Sequence, residues 1–176
     1  MTLFNNKYRV ESTRLKGWDY TSSGLYFITI NTYKMKIFFG NVLNGEMILN
    51  EAGKIVDEEW KKTCELRNNV ILDEYQVMPN HFHGIIALTK KSSHSKPETP
   101  QRGVSTEAKM YADSVGSIIN QFKGKCTKRI LQFNENFKWK SRFHDRIIRN
   151  EEELENVRKY IYYNPLQWKN DEYYTN

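Results

Sequence analysis

The sequence predicts an α+β protein, a mostly antiparallel sheet flanked by helices. Three observations point there. Strand-like and helix-like segments are interspersed along all 176 residues, with no linker dividing the chain, so a single domain over 1–176 is expected. Asn44-Gly45 stands between two apolar runs, and a type I′ hairpin turn needs positive φ at both of its positions. Pro79-Asn80 marks a second tight turn between two runs rich in apolar and β-branched residues.

Taken in order, residues 24–33 ("GLYFITINTY") read as a strand, and 36–50 as a hairpin around Asn44-Gly45. Asn50 caps a helix over 51–67, in which Val56, Trp60 and Cys64 recur every fourth residue on one face. Residues 69–78 and 81–88 are strands on either side of Pro79-Asn80. The stretch 90–106 is polar, rich in Ser, Pro and Lys, and without periodicity, and is expected to be a flexible loop. Residues 107–133 read as a helix with Val115, Ile118, Ile119 and Phe122 on one stripe and Gly124 as a candidate interruption. Then come a short extended stretch over 137–148 and a last helix over 150–163. That helix opens on the capping-box pair Asn150 and Glu153 and stops before Pro165.

Composition narrows the function classes. Hydrophobic residues make up 39% and charged residues 27%, as in a globular protein. Two cysteines set far apart argue for a reducing compartment and against a disulfide framework. The opening "MTLFNNKYRV" lacks the apolar core of a leader, and no apolar run is long enough to span a bilayer, so the cytoplasm, in association with the nucleoid, is the expected location. The net charge is +6 and aromatics reach 14%, which suits a polyanion with stackable bases as well as it suits an ordinary basic protein.

Chemistry concentrates in three places. In "HFHGII", His81 and His83 project from one face of a strand and Phe82 from the other, so both imidazoles can reach one cation. Two histidines are too few for a closed structural zinc site, so a metal here needs a further ligand and keeps positions open. In "VRKYIYYNP", Tyr160 and Asn164 lie one helical turn apart on one face. Asn164 offers a carbonyl oxygen suited to Mg²⁺ or Mn²⁺, and a phenol beside such a cation can attack a phosphodiester. Taken alone, these residues read first as core positions, Tyr160 and Ile161, and a C-cap before proline, Asn164. In "FKWKSRFHDRIIR", Lys138, Lys140, Arg142, His144 and Arg146 alternate with Phe137, Trp139, Phe143 and Ile147, giving a basic face for phosphates or a solvated edge strand. Lys123, Lys125, Lys128 and Arg129, and separately Arg14 and Lys16, add basic patches that are candidate DNA contacts.

With these residues in place, the chain resembles the single-tyrosine HUH transposases, specifically the REP-associated tyrosine transposase group. The resemblance covers most of the chain. It is carried by "RLKGWDYTSSGLYFITINT", "FFGNVLNGEMILNEAGKIVDEEW", "MPNHFHGII" and "FHDRIIRNEEELENVRKYIYYNPLQW". It implies a ferredoxin-like fold with the histidines on a central strand and the tyrosine on a helix beside it. It further implies His81, His83 and Asn164 as ligands of Mg²⁺ or Mn²⁺, and Tyr160 as the nucleophile. The implied substrate is single-stranded DNA with hairpins or palindromes, cleaved to a 5′-phosphotyrosine and a free 3′ hydroxyl. A domesticated hairpin-binding protein that no longer transposes, and a nuclease with water as final nucleophile, are the alternatives. A homodimer that exchanges the tyrosine helix and a self-contained monomer both occur in the family, and the sequence leaves that choice open. Two departures stand out. Tyr162-Tyr163 fill the variable positions, which makes Tyr163 a candidate substitute nucleophile, and "WKSRF" replaces the more usual Trp-Gln-Arg opening.

Overall fold

The computed structural model describes residues 3–4, 7–8, 18–89 and 114–175. The polar stretch 90–106, Arg14 and Lys16 lie outside the described residues. The elements are β1 (Leu3–Phe4), β2 (Lys7–Tyr8), β3 (Gly24–Asn31), β4 (Gly40–Leu43), β5 (Glu46–Leu49), α1 (Glu51–Glu65), β6 (Val70–Val77), β7 (His81–Leu88), α2 (Val115–Ile130), β8 (His144–Ile148) and α3 (Glu151–Tyr163). The main sheet has the order β6-β7-β3-β8, antiparallel throughout. In chain order its strands and the first two helices form the β-α-β-β-α-β pattern of a ferredoxin-like fold. Pairs β1-β2 and β4-β5 are separate hairpins. No helix among the described residues is long and apolar enough to cross a membrane.

Local chemistry explains the boundaries. Asn44 and Gly45 take φ of 53° and 81°, as the two-residue turn requires. Asn50, Ser114 and Asn150 cap the three helices, each side chain accepting from a backbone N–H three residues on. Glu153 Oε2 accepts from the Arg149 N–H, so the expected box closes one residue earlier than its spacing suggests. Gly124 does not interrupt α2, which runs on to Ile130. Cys64 is off the buried stripe of α1, where Thr63 is buried instead. The stretch 137–148 is not one strand: its ladder with β3 covers only β8, preceded by a lone bridge from Trp139 to Thr32.

The two faces of the sheet are different. On one, α1 and α2 cover Tyr26, Ile28, Ile30, Phe82 and Ile86, with Trp60 and Phe122 among the rings that fill the layer. Trp60 and Phe82 have centroids 4.5 Å apart. Gly84 faces this layer, and a Cβ there would lie 2.6 Å from Trp60 Cζ2. Gly84→Ala is therefore expected to destabilise the fold by about 2 kcal/mol through overpacking, read as a lower urea midpoint at unchanged slope. On the other face, α3 packs Leu154, Val157 and Ile161 on Ile85 and Ile148, with Leu25 and Phe27 alongside. Strand alternation puts His81 and His83 on this second face, where Tyr160 near the end of α3 reaches His83.

Candidate metal and nucleophile site

His83 and His81 are the centre of the site. Across the ladder they pair with Thr29 and Asn31 of β3, and both are buried. His83 Nδ1 lies 2.9 Å from Thr29 Oγ1, and Nε2 lies 3.3 Å from the Tyr160 hydroxyl. His81 Nδ1 lies 2.9 Å from Asn80 Oδ1. The opposite end of the Asn80 amide faces Met35 O, Tyr173 O and Thr175 Oγ1, so that end is the NH₂ and donates. Its oxygen then turns to His81 and accepts, which makes Nδ1 the protonated nitrogen and leaves the Nε2 lone pair free to ligate. The Pro-Asn pair, read in the sequence as a turn, thus also selects the tautomer of the first histidine.

His81 Nε2 and Asn164 Oδ1 are buried without a hydrogen-bond partner among the described residues. Asn164 Nδ2 donates to Asp171 Oδ2 at 2.7 Å. Ligand atoms of His81, His83 and Asp171 fall within 4.8 Å of one another. Two imidazoles with at least one free lone pair, a carboxylate and an orphaned amide oxygen are a donor set that fits a divalent cation. Burial holds His83 neutral, pushing it down to about 3. Burial first, and then the neighbouring His83, push His81 well below the usual imidazole range. Burial, reinforced by Asp171 and Glu172, raises the Tyr160 phenol to about 12, so it is protonated at neutral pH.

The site opens into a cleft of about 1000 Å³ that includes His83, His144, Arg146, Tyr160, Asn164 and Asp171. Phe27 makes one wall, stacked on His83 and edge-on to Tyr160. The rotation of α3 is fixed from the far side by Arg158, which donates through Nε and Nη2 to both carboxylate oxygens of Asp73. Asp73 sits at the β-bulge of β6.

The structure thus brings His81, His83, Tyr160 and Asn164 together. It separates Tyr163, which packs edge-on against Tyr162 and lies outside the residues lining the cleft. Of the basic candidates, Lys138, Lys140, Arg142, His144 and Arg146 are exposed, with Arg146 also paired to Glu153. The α2 candidates lie behind the sheet, on the face away from the histidines. Lys123 is corrected outright: its ammonium is buried and donates to Lys140 O and Ser141 O, and burial lowers it to about 8. Arg129 is likewise taken up, clamping α2 to Glu58 and Glu59 of α1. Lys125 is half-buried and Lys128 exposed on that same far side. Sequence reading missed Asp171 and Tyr173, whose ring lies 4.8 Å from that of His81. Both follow the last helix at no regular spacing, and a cluster of aromatic and acidic residues was the only available signal.

No family model matches the chain. It is 34% identical over 172 residues to an uncharacterized protein of Haemophilus influenzae, covering 93% of this chain and 92% of that protein. A second Haemophilus influenzae protein, provisionally named a REP-associated tyrosine transposase, is 26% identical over 160 residues, with 85% and 74% covered. Among solved structures, a REP-associated tyrosine transposase bound to a REP hairpin superposes with a TM-score of 0.56 at 19% identity, over 92% of this chain and 74% of that one. The four-stranded sheet and its helices share the fold of that transposase, and the chain is similar in sequence to a protein named for the REP-associated tyrosine transposases.

Proposed function

We propose that the protein is a metal-dependent transesterase of single-stranded DNA, cleaving and rejoining hairpin-containing strands through a 5′-phosphotyrosine. The observation that carries this reading is the Tyr160 hydroxyl lying 3.3 Å from the nitrogen of a buried, neutral histidine in a group of atoms suited to a cation. Mg²⁺ or Mn²⁺ held by His81, His83, Asn164 and Asp171 would polarise the scissile phosphate and offset the carboxylate charge that, after burial, raises the phenol. Tyr160 Oη attacks phosphorus as its proton leaves; the O–P bond forms, the bond to the 3′ oxygen breaks, and that oxygen takes up a proton as a free hydroxyl. Attack by a 3′ hydroxyl on the phosphotyrosine reverses each step. Phe27 and α3 hold the phenol in line, and Thr29 and Asn80 hold the two imidazoles. The relative's REP hairpin supports a hairpin partner here, and the exposed row from Lys138 to Arg146 supports a single strand leading away from it.

The test is a denaturing gel of the protein with labelled hairpin oligonucleotides drawn from palindromes beside its gene, with Mn²⁺ or with EDTA. A DNA-linked protein band that needs the metal and maps to the Tyr160 peptide is the expected result. A native-gel shift with no linked band under any metal would leave a hairpin-binding protein and end the transesterase reading.

A further inference from the structure

We propose that Tyr33 is a stacking platform for an unpaired base of single-stranded DNA, with Lys34 and Lys138 placed for its flanking phosphates. The proposal rests on the DNA reading above and seats one nucleotide at the end of the sheet beside His81.

Tyr33 stands out from its surroundings. It keeps 42% of its surface in solvent, while Asn31 and Thr32 before it and Phe38 and Phe39 after it are buried. No other aromatic ring packs on it among the described residues, so it does not serve the core. Two ammonium groups lie over its ring instead: Lys138 Nζ at 4.9 Å and Lys34 Nζ at 5.6 Å from the centroid. An exposed ring with cations close by is a combination that binds a single strand, the ring for the base and the charges for the backbone.

The loop that presents the ring is held in an uncommon shape. Lys34 and Met35 both take φ of 55°, left-handed backbone in non-glycine residues. The shape is fastened by the framework of the metal site. Tyr33 N–H donates to Lys138 O at 2.7 Å, and Met35 O accepts from Asn80 Nδ2, the amide that orients His81. Thr175 Oγ1 donates to the same Met35 carbonyl. Tyr33 lies two residues past Asn31, the ladder partner of His81. Lys140 N–H donates to Asn31 O, so residues 138–140 continue the sheet edge beside the platform. The exposed row Lys138, Lys140, Arg142, His144 and Arg146 then runs from Tyr33 to the cleft, where His144 and Arg146 line the wall. A base inside a duplex has both faces stacked and cannot offer one to a ring, so this platform favours an unpaired nucleotide and leaves duplex contacts to other surfaces.

The experiment compares two fluorescent probes by anisotropy at fixed salt: a short oligothymidylate, and a strand of the same phosphate spacing made of abasic units. Wild type is expected to hold the thymidylate about 10-fold more tightly. Tyr33→Ala is expected to erase that preference while leaving the abasic affinity unchanged, and Tyr33→Phe to keep it. Lys34→Gln with Lys138→Gln is expected to weaken both probes and flatten the salt dependence. Equal thermal melting of wild type and Tyr33→Ala excludes a folding effect. Equal binding of the two probes by wild type, or a preference that survives in Tyr33→Ala, overturns the platform. Tyr33→Ala that loses nothing yet still forms the Tyr160 adduct refutes the platform alone. A wild type that forms no adduct refutes the transesterase, and the probe comparison still decides the platform.

Discussion

Tyr160→Phe is expected to lower formation of the protein–DNA adduct by a factor on the order of 10³ or more, while hairpin binding in a native gel stays within about twofold of wild type. The substitution removes one oxygen. The ring keeps its edge-on contact with Phe27 and its place beside His83, so α3 has no reason to shift. Tyr163 gives no rescue, because its ring packs edge-on against Tyr162 and does not line the cleft. Tyr163→Phe should accordingly form adduct at the wild-type level. Residual adduct in Tyr160→Phe that disappears only on adding Tyr163→Phe would mean that the last turn of α3 rearranges around DNA and that the nucleophile is misassigned.

Acid is expected to destabilise the metal-free protein well before its carboxylates titrate. His81 and His83 are buried as neutral rings, with folded-state pKa values pushed below the ordinary 6.5, to about 3 for His83. As pH falls through 6.5 the unfolded chain takes up these protons and the folded chain does not. The stability is therefore full above about pH 7 and declines from there down towards pH 3. Between pH 7 and 5.5 two such groups cost about 2–3 kcal/mol in total. Urea unfolding at the two pH values measures it directly. A flat profile would mean that at least one imidazole protonates in the folded state, which the lack of any carboxylate contact to His83 Nδ1 argues against. Mn²⁺ should add stability at both pH values without changing this slope, because the folded rings are already neutral.

Much of this arrangement is legible in the residues themselves, for identifiable reasons. Asn44-Gly45 can do little else but turn, and Asn50 and Asn150 announce their helices, because caps and turns are local chemistry. His81, His83, Tyr160 and Asn164 are legible as two pairs, each on a regular element whose period fixes which side chains share a face. That the pairs meet is a tertiary fact, carried by Ile85 of β7, Ile148 of β8, and Leu154, Val157 and Ile161 of α3. Asp171 and Tyr173 were hidden because they follow a 3₁₀ turn at Trp168–Asn170, where no period relates one residue to the next. The basic residues misled in a different way. Lys123 and Arg129 look like their neighbours in sequence, and only burial and two glutamates distinguish a brace from a DNA contact. Alternation over 137–147 does give the right exposed row, although only its second half is in the ladder.

The packing of α3 on its own sheet has a genetic consequence. Nucleophile and candidate ligands come from one polypeptide, Tyr160 and Asn164 on the helix and His81 and His83 on the strand beneath it. If this packing within one chain is the acting form, two copies crippled at different positions, one in the histidines and one in the tyrosine, are expected not to repair each other. A defective allele of this gene should be recessive to an intact one, and pairs of defective alleles should fail to complement.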